Sequence, residues 1–408
     1  MTMIRETVAT GIVEGEISDD RFAPLLDVFK QNFDTRDEKG ASLCITLDGN
    51  TVVDLWGGAA NPREDMAWEH DTLSVIFSCT KGALALCANM LIDEGKLDPN
   101  APVTDLWPEY GAAGKENTTL QMMLDHTAGV PVFRDPVPKG ALTDWGWATT
   151  TLAAQEPFFE PGTRSAYHGI TFSWTVGEMI RRASGKSAGA FFAERVTKPL
   201  GLDFWIGAPE DISPRLARIF RIKFDPKAPM TPFMQQLMQD KDSLPHLFYN
   251  NAGGFNGNKP EYWQAEIGGA TGVSNARSLA GMYAPLACGG SLNGVKLVSS
   301  DALVRMQTVT NATHDDATLR GPMRVAAGFM TSRELPNDPT RGTHHYGRSG
   351  FGHSGSGGSM GFADPEAGMS FGYVMNQQGA TLNPRGQGLI NGAYEALDWK
   401  ANAHHWAP

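Results

Sequence analysis

The stretch Phe77-Ser-Cys-Thr-Lys-Gly-Ala-Leu-Ala-Leu-Cys-Ala-Asn-Met-Leu-Ile-Asp-Glu-Gly95 is the most informative in the chain. From Ser78 to Glu94 the pattern is helical and apolar on nearly every face, and Gly95 stands where a helix C-cap belongs. Such a helix is buried in the middle of a domain. Ser78 and Lys81, three positions apart at its head, share one face. A serine hydroxyl is a weak nucleophile and needs a base beside it. A lysine serves when its amine is neutral, and burial together with the positive end of the helix dipole disfavours the ammonium form. Taken alone, the same spacing also suits an N-cap serine followed by a solvated lysine.

The chain has 408 residues, enough for two or three structural units at ~150 residues each. Hydrophobic residues at 41% and charged residues at 19% are ordinary for a globular protein and argue against disorder. A formal charge of −11 without a basic stripe argues against nucleic acid and anionic membranes as partners. The 46 glycines predict many tight turns and close backbone contacts. Cys44, Cys79, Cys87 and Cys288 form no Cys-x-x-Cys pair, so neither a zinc framework nor a disulfide scaffold is expected. The first residues carry no apolar h-region or small-residue cleavage site, and no run of about 18 apolar residues occurs. A soluble, cytoplasmic protein with reduced thiols is the expectation.

Periodicity predicts an amphipathic helix from Arg21 to Phe33, capped by Asp19 or Asp20. A hairpin of Leu43–Leu47 and Thr51–Trp56 turns at Asp48-Gly49-Asn50. Further helices are expected at 120–124, 171–183, 187–196, 274–286 and 387–397, and strands at 325–333, 359–363 and 369–376. Strands at both ends with helices between predict an α+β fold. Its antiparallel sheet, flanked by helices, is built from 1–100 and 270–408, and a mainly helical domain is inserted at 101–269. Within that domain 205–268 is weakly periodic and rich in Pro, Met and aromatics, an irregular pocket-lining insertion.

Two later segments bear on Ser78. Glu160-Pro-Gly-Thr-Arg-Ser-Ala-Tyr167-His168-Gly169 precedes the helix expected at 171. Its phenol either hydrogen-bonds the Lys81 amine and shuttles a proton, or is a half-buried loop tyrosine. Gly352-His353-Ser354-Gly355-Ser356-Gly-Gly-Ser359 leads into a strand. It reads either as a polar strand edge whose N–H groups face a developing oxyanion or as a flexible glycine loop.

Together these segments resemble the serine β-lactamase and penicillin-binding-protein superfamily, and within it the class C-like family VIII carboxylesterases. The flanks Leu124-Asp-His-Thr-Ala-Gly129, Glu160-Pro-Gly-Thr163 and Lys198-Pro-Leu-Gly-Leu202 are similar too. The likeness runs roughly from Gly40 to Leu397 and is least over 205–268. It implies a β-lactamase-like sheet and catalysis without cofactor or metal. It also implies Ser78 as the acylated nucleophile, with Lys81 and Tyr167 as the acid–base pair. The oxyanion hole is then the backbone N–H groups of Ser78 and Ser356, the latter following the His353-Ser354-Gly355 triplet on a sheet-edge strand. Two departures stand out. The family's Tyr-x-Asn is Tyr167-His168-Gly169, without the carboxamide that grips a β-lactam side-chain amide. Its Lys-Thr-Gly is His353-Ser354-Gly355, and a histidine near its reference pKa of ~6.5 is mostly neutral at pH 7. Both tilt the reading toward uncharged esters.

His168, Gly169, Phe233, Met234, Phe248 and Tyr249 are the expected pocket residues, although the aromatic and Met cluster among them also suits a satellite core. As a wall it should accept varied acyl groups. Other motifs carry less. Gly357–Gly361 and Gly185–Gly189 both satisfy Gly-x-Ser-x-Gly but lack the strand–serine–helix context of a nucleophile elbow. His344-His345 and His404-His405 have no further ligand at metal spacing. Cys79 is expected to pack into the core, turned about 100° from Ser78. The expected protein is a serine hydrolase of small-molecule carboxylic esters, of unknown oligomeric state. The alternatives are a β-lactam or other amide hydrolase, an acyltransferase on the same residues, or a non-catalytic binding homologue.

Overall fold

The computed structural model describes residues 3–222, 229–333, 345–379 and 384–408. In chain order the elements are β1 (Ile4–Val8), β2 (Gly11–Ile17), α1 (Leu25–Thr35), β3 (Gly40–Leu47), β4 (Asn50–Asn61), β5 (Met66–Ala67), β6 (Ser74–Val75) and α2 (Thr80–Asp93). Then come α3 (Leu120–Leu124), α4 (Trp145–Ala154), α5 (Phe172–Ser184), α6 (Ala188–Phe192), α7 (Lys198–Leu200), β7 (Phe204–Trp205), α8 (Pro232–Gln239), α9 (Leu244–Asn250) and α10 (Pro260–Trp263). The rest are β8 (Val273–Ser274), α11 (Ala276–Ala287), β9 (Ser291–Leu292), β10 (Val295–Lys296), α12 (Ser300–Gln307), β11 (Asn311–Thr313), β12 (Met323–Ala326), β13 (Phe329–Thr331), β14 (Phe351–Ser354), β15 (Met360–Asp364), β16 (Met369–Met375), α13 (Pro384–Glu395), β17 (Lys400–Ala401) and β18 (Trp406–Ala407).

The fold is α+β. Among the described residues the large sheet is antiparallel and runs β1-β2-β4-β3-β16-β15-β14-β13-β12-β11, with β5 beside β4. Side-chain alternation sends β3 residues to opposite faces. Ala41, Leu43 and Ile45 join Phe29 and Phe33 of α1 and Leu389 and Ile390 of α13 in one core. Cys44 faces the other core, with α2 and α11. A buried Arg385–Glu38 ion pair (Nη1 to Oε1, 2.8 Å) pins α13, and Arg385 also donates to the Gln377 carbonyl at 2.7 Å. Glu38 is bonded in addition to the Tyr373 hydroxyl.

The structure corrects three expectations. The helix predicted from Arg21 begins at Leu25, because Asp19 caps a separate 3-10 turn at Asp20–Phe22 and Pro24 intervenes. The strand predicted at 325–333 is two strands, β12 and β13, reversed at Ala327 and Gly328, whose φ angles are 46° and 91°. The triplet strand β14 lies inside the sheet, between β15 and β13, and not at its edge. It is nevertheless open where it matters, since β13 pairs with Phe351 and Gly352 only.

Every residue of α2 from Thr80 to Leu91 is buried. A Cβ at Gly268 would lie 2.6 Å from Leu84 Cδ1, so the 268–269 backbone packs directly on this helix. Leu84→Ala should therefore lower the unfolding free energy by about 2–5 kcal/mol. Urea denaturation would show this as a lower midpoint at unchanged m value.

Candidate active site

Ser78 sits between β6 and α2, at a sharp reversal. Phe77 holds φ at 47°, a left-handed conformation costly for a bulky side chain. Long-range bonds hold that turn in place. The Ile76 N–H donates to the Gly272 carbonyl at 2.9 Å. The Thr80 hydroxyl donates to the Phe77 carbonyl at 2.6 Å and accepts from the Gly272 N–H at 2.9 Å. One turn on, Lys81 is fully buried, with Nζ 3.0 Å from Ser78 Oγ and 2.6 Å from the Gly269 carbonyl. Burial drives the Lys81 amine well below its ordinary range, toward the neutral base.

Tyr167 brings its phenol to the same place. Its hydroxyl is hydrogen-bonded to Ser78, and Lys81 Nζ lies 4.9 Å from the ring centre. The phenol therefore pairs with the serine, and the expected bond to the Lys81 amine gives way to a contact with the ring face. Burial raises the Tyr167 hydroxyl above its usual range, so the phenol keeps its proton.

The 353–356 segment closes the other side. Cys79 Sγ donates to the His353 carbonyl at 3.4 Å. A Cβ at Gly355 would stand 2.2 Å from the Ile76 carbonyl, so only glycine lets the strand end pass this close to the turn before Ser78. Among the described residues, neither the Ser78 nor the Ser356 backbone N–H has an acceptor. His353 is buried, with Nδ1 2.7 Å from the Ser354 carbonyl, and burial above all lowers it to about 3. The ring is neutral at pH 7. Ser354 is half-buried and Ser356 exposed.

Of the expected pocket residues, Gly169 and Phe248 meet directly and Phe233 packs edge-on against Phe248. Met234 is half-buried on α8. Tyr249 is 65% exposed, because one step along α9 turns it away from Phe248. His168 is wholly buried, with Nδ1 2.7 Å from the Ala166 carbonyl, and offers no surface to a substrate. The two decoy serines are structural. Ser187 caps α6 and donates to Glu266 at 2.6 Å, while Ser359 is buried and accepts from the Met375 N–H at 3.4 Å. Among the described residues no cluster of His, Cys, Asp and Glu could hold a metal ion, and His344 lies outside them.

Sequence reasoning missed several residues. The Gly269 carbonyl receives the Lys81 amine. Asp316 is fully buried and ties down the tyrosine loop. Its Oδ1 accepts the backbone N–H groups of Tyr167, Thr318 and Leu319 at 3.0, 3.0 and 2.9 Å, and Oδ2 accepts the Ser165 hydroxyl at 3.1 Å. His126 accepts the His168 N–H at 3.0 Å, and its ring is 4.8 Å from that of Tyr167. Arg333 is buried against Met330, and its Nε has no partner among the described residues. Of these, His126 lay in the flank Leu124–Gly129 and Arg333 at the end of the strand expected at 325–333.

The family model described as Beta-lactamase matches residues 27–391. The esterase/beta-lactamase LipL of Mycobacterium tuberculosis is 32% identical over 367 residues, 88% of this chain and 82% of its own length. A solved penicillin-binding-protein homologue from Caulobacter crescentus superposes with TM-score 0.82 at 35% identity, covering 93% of this chain and 99% of that one. A solved family VIII carboxylesterase gives the same TM-score and identity, covering 94% and 99%.

The Asp316 carboxylate makes the position of Tyr167 testable. Asp316→Ala should lower kcat on an ester by about 10²-fold through displacement of the phenol. Asp316→Asn keeps an acceptor oxygen for the three N–H groups and should retain most of the activity, as steady-state kinetics would show.

Proposed function

This chain belongs to the beta-lactamase family and is a hydrolase, and on that footing we propose that it cleaves carboxylic esters through an acyl-enzyme on Ser78. The observation that carries this reading is the fully buried Lys81 amine 3.0 Å from Ser78 Oγ. One N–H of the neutral amine donates to the Gly269 carbonyl, which leaves the lone pair free to accept the Ser78 proton. Ser78 Oγ then bonds to the ester carbonyl carbon, and the carbonyl electrons move onto oxygen. The backbone N–H groups of Ser78 and Ser356 receive that oxyanion. Collapse breaks the bond to the alcohol oxygen, which takes a proton from Lys81 or Tyr167. A water, deprotonated by the same pair, attacks the acyl carbon, and Ser78 leaves with its proton restored.

An uncharged small-molecule ester fits the surroundings. His353 is neutral at pH 7, so the triplet lacks the fixed cation of the family's lysine, and Gly169 has no carboxamide. The LipL relative is named an esterase/beta-lactamase, and a solved relative is a family VIII carboxylesterase. The first of these names also favours a second reading, lactam hydrolysis on the same serine. A p-nitrophenyl ester should be turned over with higher kcat/KM than a chromogenic cephalosporin, and the reverse order would establish the lactam reading.

Two further outcomes are expected. Ser78→Ala should cut ester hydrolysis by a factor on the order of 10⁴ or more. An alkyl fluorophosphonate should label the Ser78 peptide of the parent protein, as mass spectrometry would show. The pH dependence follows from the groups present. The amine is an active base only above its lowered pKa, so kcat/KM should fall with acid and rise to a plateau. His353 at about 3 and His168 at about 4 titrate too low to set a limb near neutrality. The raised Tyr167 phenol keeps the plateau flat into alkali. A rate that rises as the pH is lowered would refute the lysine base.

A further inference from the structure

Gly169 stands two residues after Tyr167, at the position where the family carries a carboxamide. A Cβ built on it would lie 2.1 Å from Phe248 Cε2, 2.7 Å from Cδ2 and 3.2 Å from Cζ. The space of a side chain at 169 is thus already filled by the edge of an aromatic ring. That ring comes from α9, about 80 residues further along the chain. It meets Tyr167 edge-on at 6.2 Å between centroids and Phe233 at 6.1 Å. With Tyr167 it packs against Met323, Val325 and Met330 in one cluster. Phe248 itself is only half-buried, so part of the ring stays open.

The helix that carries the ring is fixed at both ends. Ser243 caps it, accepting from the His246 N–H at 3.3 Å, and His246 Nδ1 is 2.8 Å from the Leu237 carbonyl of α8. At the other end the Asn251 carboxamide donates to the Phe133 and Asp135 carbonyls at 3.0 and 2.8 Å and accepts the Val137 N–H at 2.8 Å. The ring is therefore a positioned wall and not a loose cover.

We propose that Phe248 determines acyl-group specificity: its ring replaces a side chain at 169 and turns an apolar surface toward the acyl part of the ester. This deepens the esterase reading and rests on it. An aromatic edge gives no hydrogen bond to an amide. An acyl group carrying an amide loses water there and finds no partner, whereas an alkyl or aryl group gains ring contact. The favoured substrates are esters of apolar carboxylic acids, and esters of N-acylamino acids are discriminated against.

The test compares kcat/KM for p-nitrophenyl 4-phenylbutyrate and p-nitrophenyl hippurate, which share a leaving group, a phenyl ring and a chain length and differ in an acyl amide. Phe248→Ala should lower the phenylbutyrate-to-hippurate ratio by about tenfold. Phe248→Ala with Gly169→Asn should lower it further, because the carboxamide enters the vacated space and pairs with the amide. A ratio within twofold of the parent in both variants overturns the proposal. If the double variant does not fold, as judged by its thermal melt, the single variant decides by the same threshold. Ser78→Ala is run alongside, and its retention of turnover would refute the acyl-enzyme site, a failure distinct from that of Phe248.

Discussion

A lysine amine kept out of water is the condition on which this molecule turns. Lys81 lies at the head of a helix buried on every side, with the Tyr167 and Phe172 rings 4.9 and 5.9 Å from Nζ. Among the described residues no carboxylate lies there to compensate the lost hydration of the ammonium form, so burial lowers the pKa of the group well below its ordinary value. What the amine keeps is a single carbonyl, that of Gly269, which orients it without restoring a charge. A surface lysine at the same spacing from a serine would be a solvated cation and no base.

That dry position is assembled from distant parts of the chain. The 268–269 backbone reaches α2 only because neither residue has a side chain: a Cβ at Gly269 would stand 2.8 Å from the Ser173 hydroxyl, which instead accepts the Gly269 N–H at 2.8 Å. Asp316 anchors the tyrosine loop from the far side. Arg385 reaches both the Gln377 and Gly357 carbonyls, at 2.7 and 3.3 Å, and so links the buried Glu38 pair to the turn that presents Ser356. The sheet, the helices behind it and the 268–269 segment thus each supply one wall.

Much of this was legible in the residues because it is local or strongly patterned. The apolar run behind Ser78, the hairpin at Asp48-Gly49 and the strand at 369–376 state their periods plainly. The α+β architecture followed from their order. Strands β1 and β2 escaped notice because glutamates and glycines interrupt their alternation, as Gly11-Ile-Val-Glu-Gly-Glu-Ile17 shows. Helices α8 and α9 are two turns each, too short to show a clear period. Ser78, Lys81 and Tyr167 come together through motifs, but Gly269 acts through its backbone carbonyl, for which residue type gives no signal, and the Asp316 carboxylate binds the Tyr167 backbone N–H, 149 residues away in the chain, where no local pattern marks it. Phe248 could be suspected as pocket lining, yet its contact with Gly169 depends on how a weakly patterned segment folds back.

The left-handed Phe77 and the bonds that hold it bear on when the chain first becomes active. Its turn is braced by Gly272, the Lys81 amine is oriented by a carbonyl 188 residues away, and Cys79 touches a strand 274 residues downstream. Contacts of such sequence separation form late in folding. On the mechanism proposed above, a solvated Lys81 amine stays protonated and leaves the Ser78 hydroxyl inert until these contacts close, so a nascent polypeptide would gain activity toward esters only once its C-terminal strands have emerged and docked.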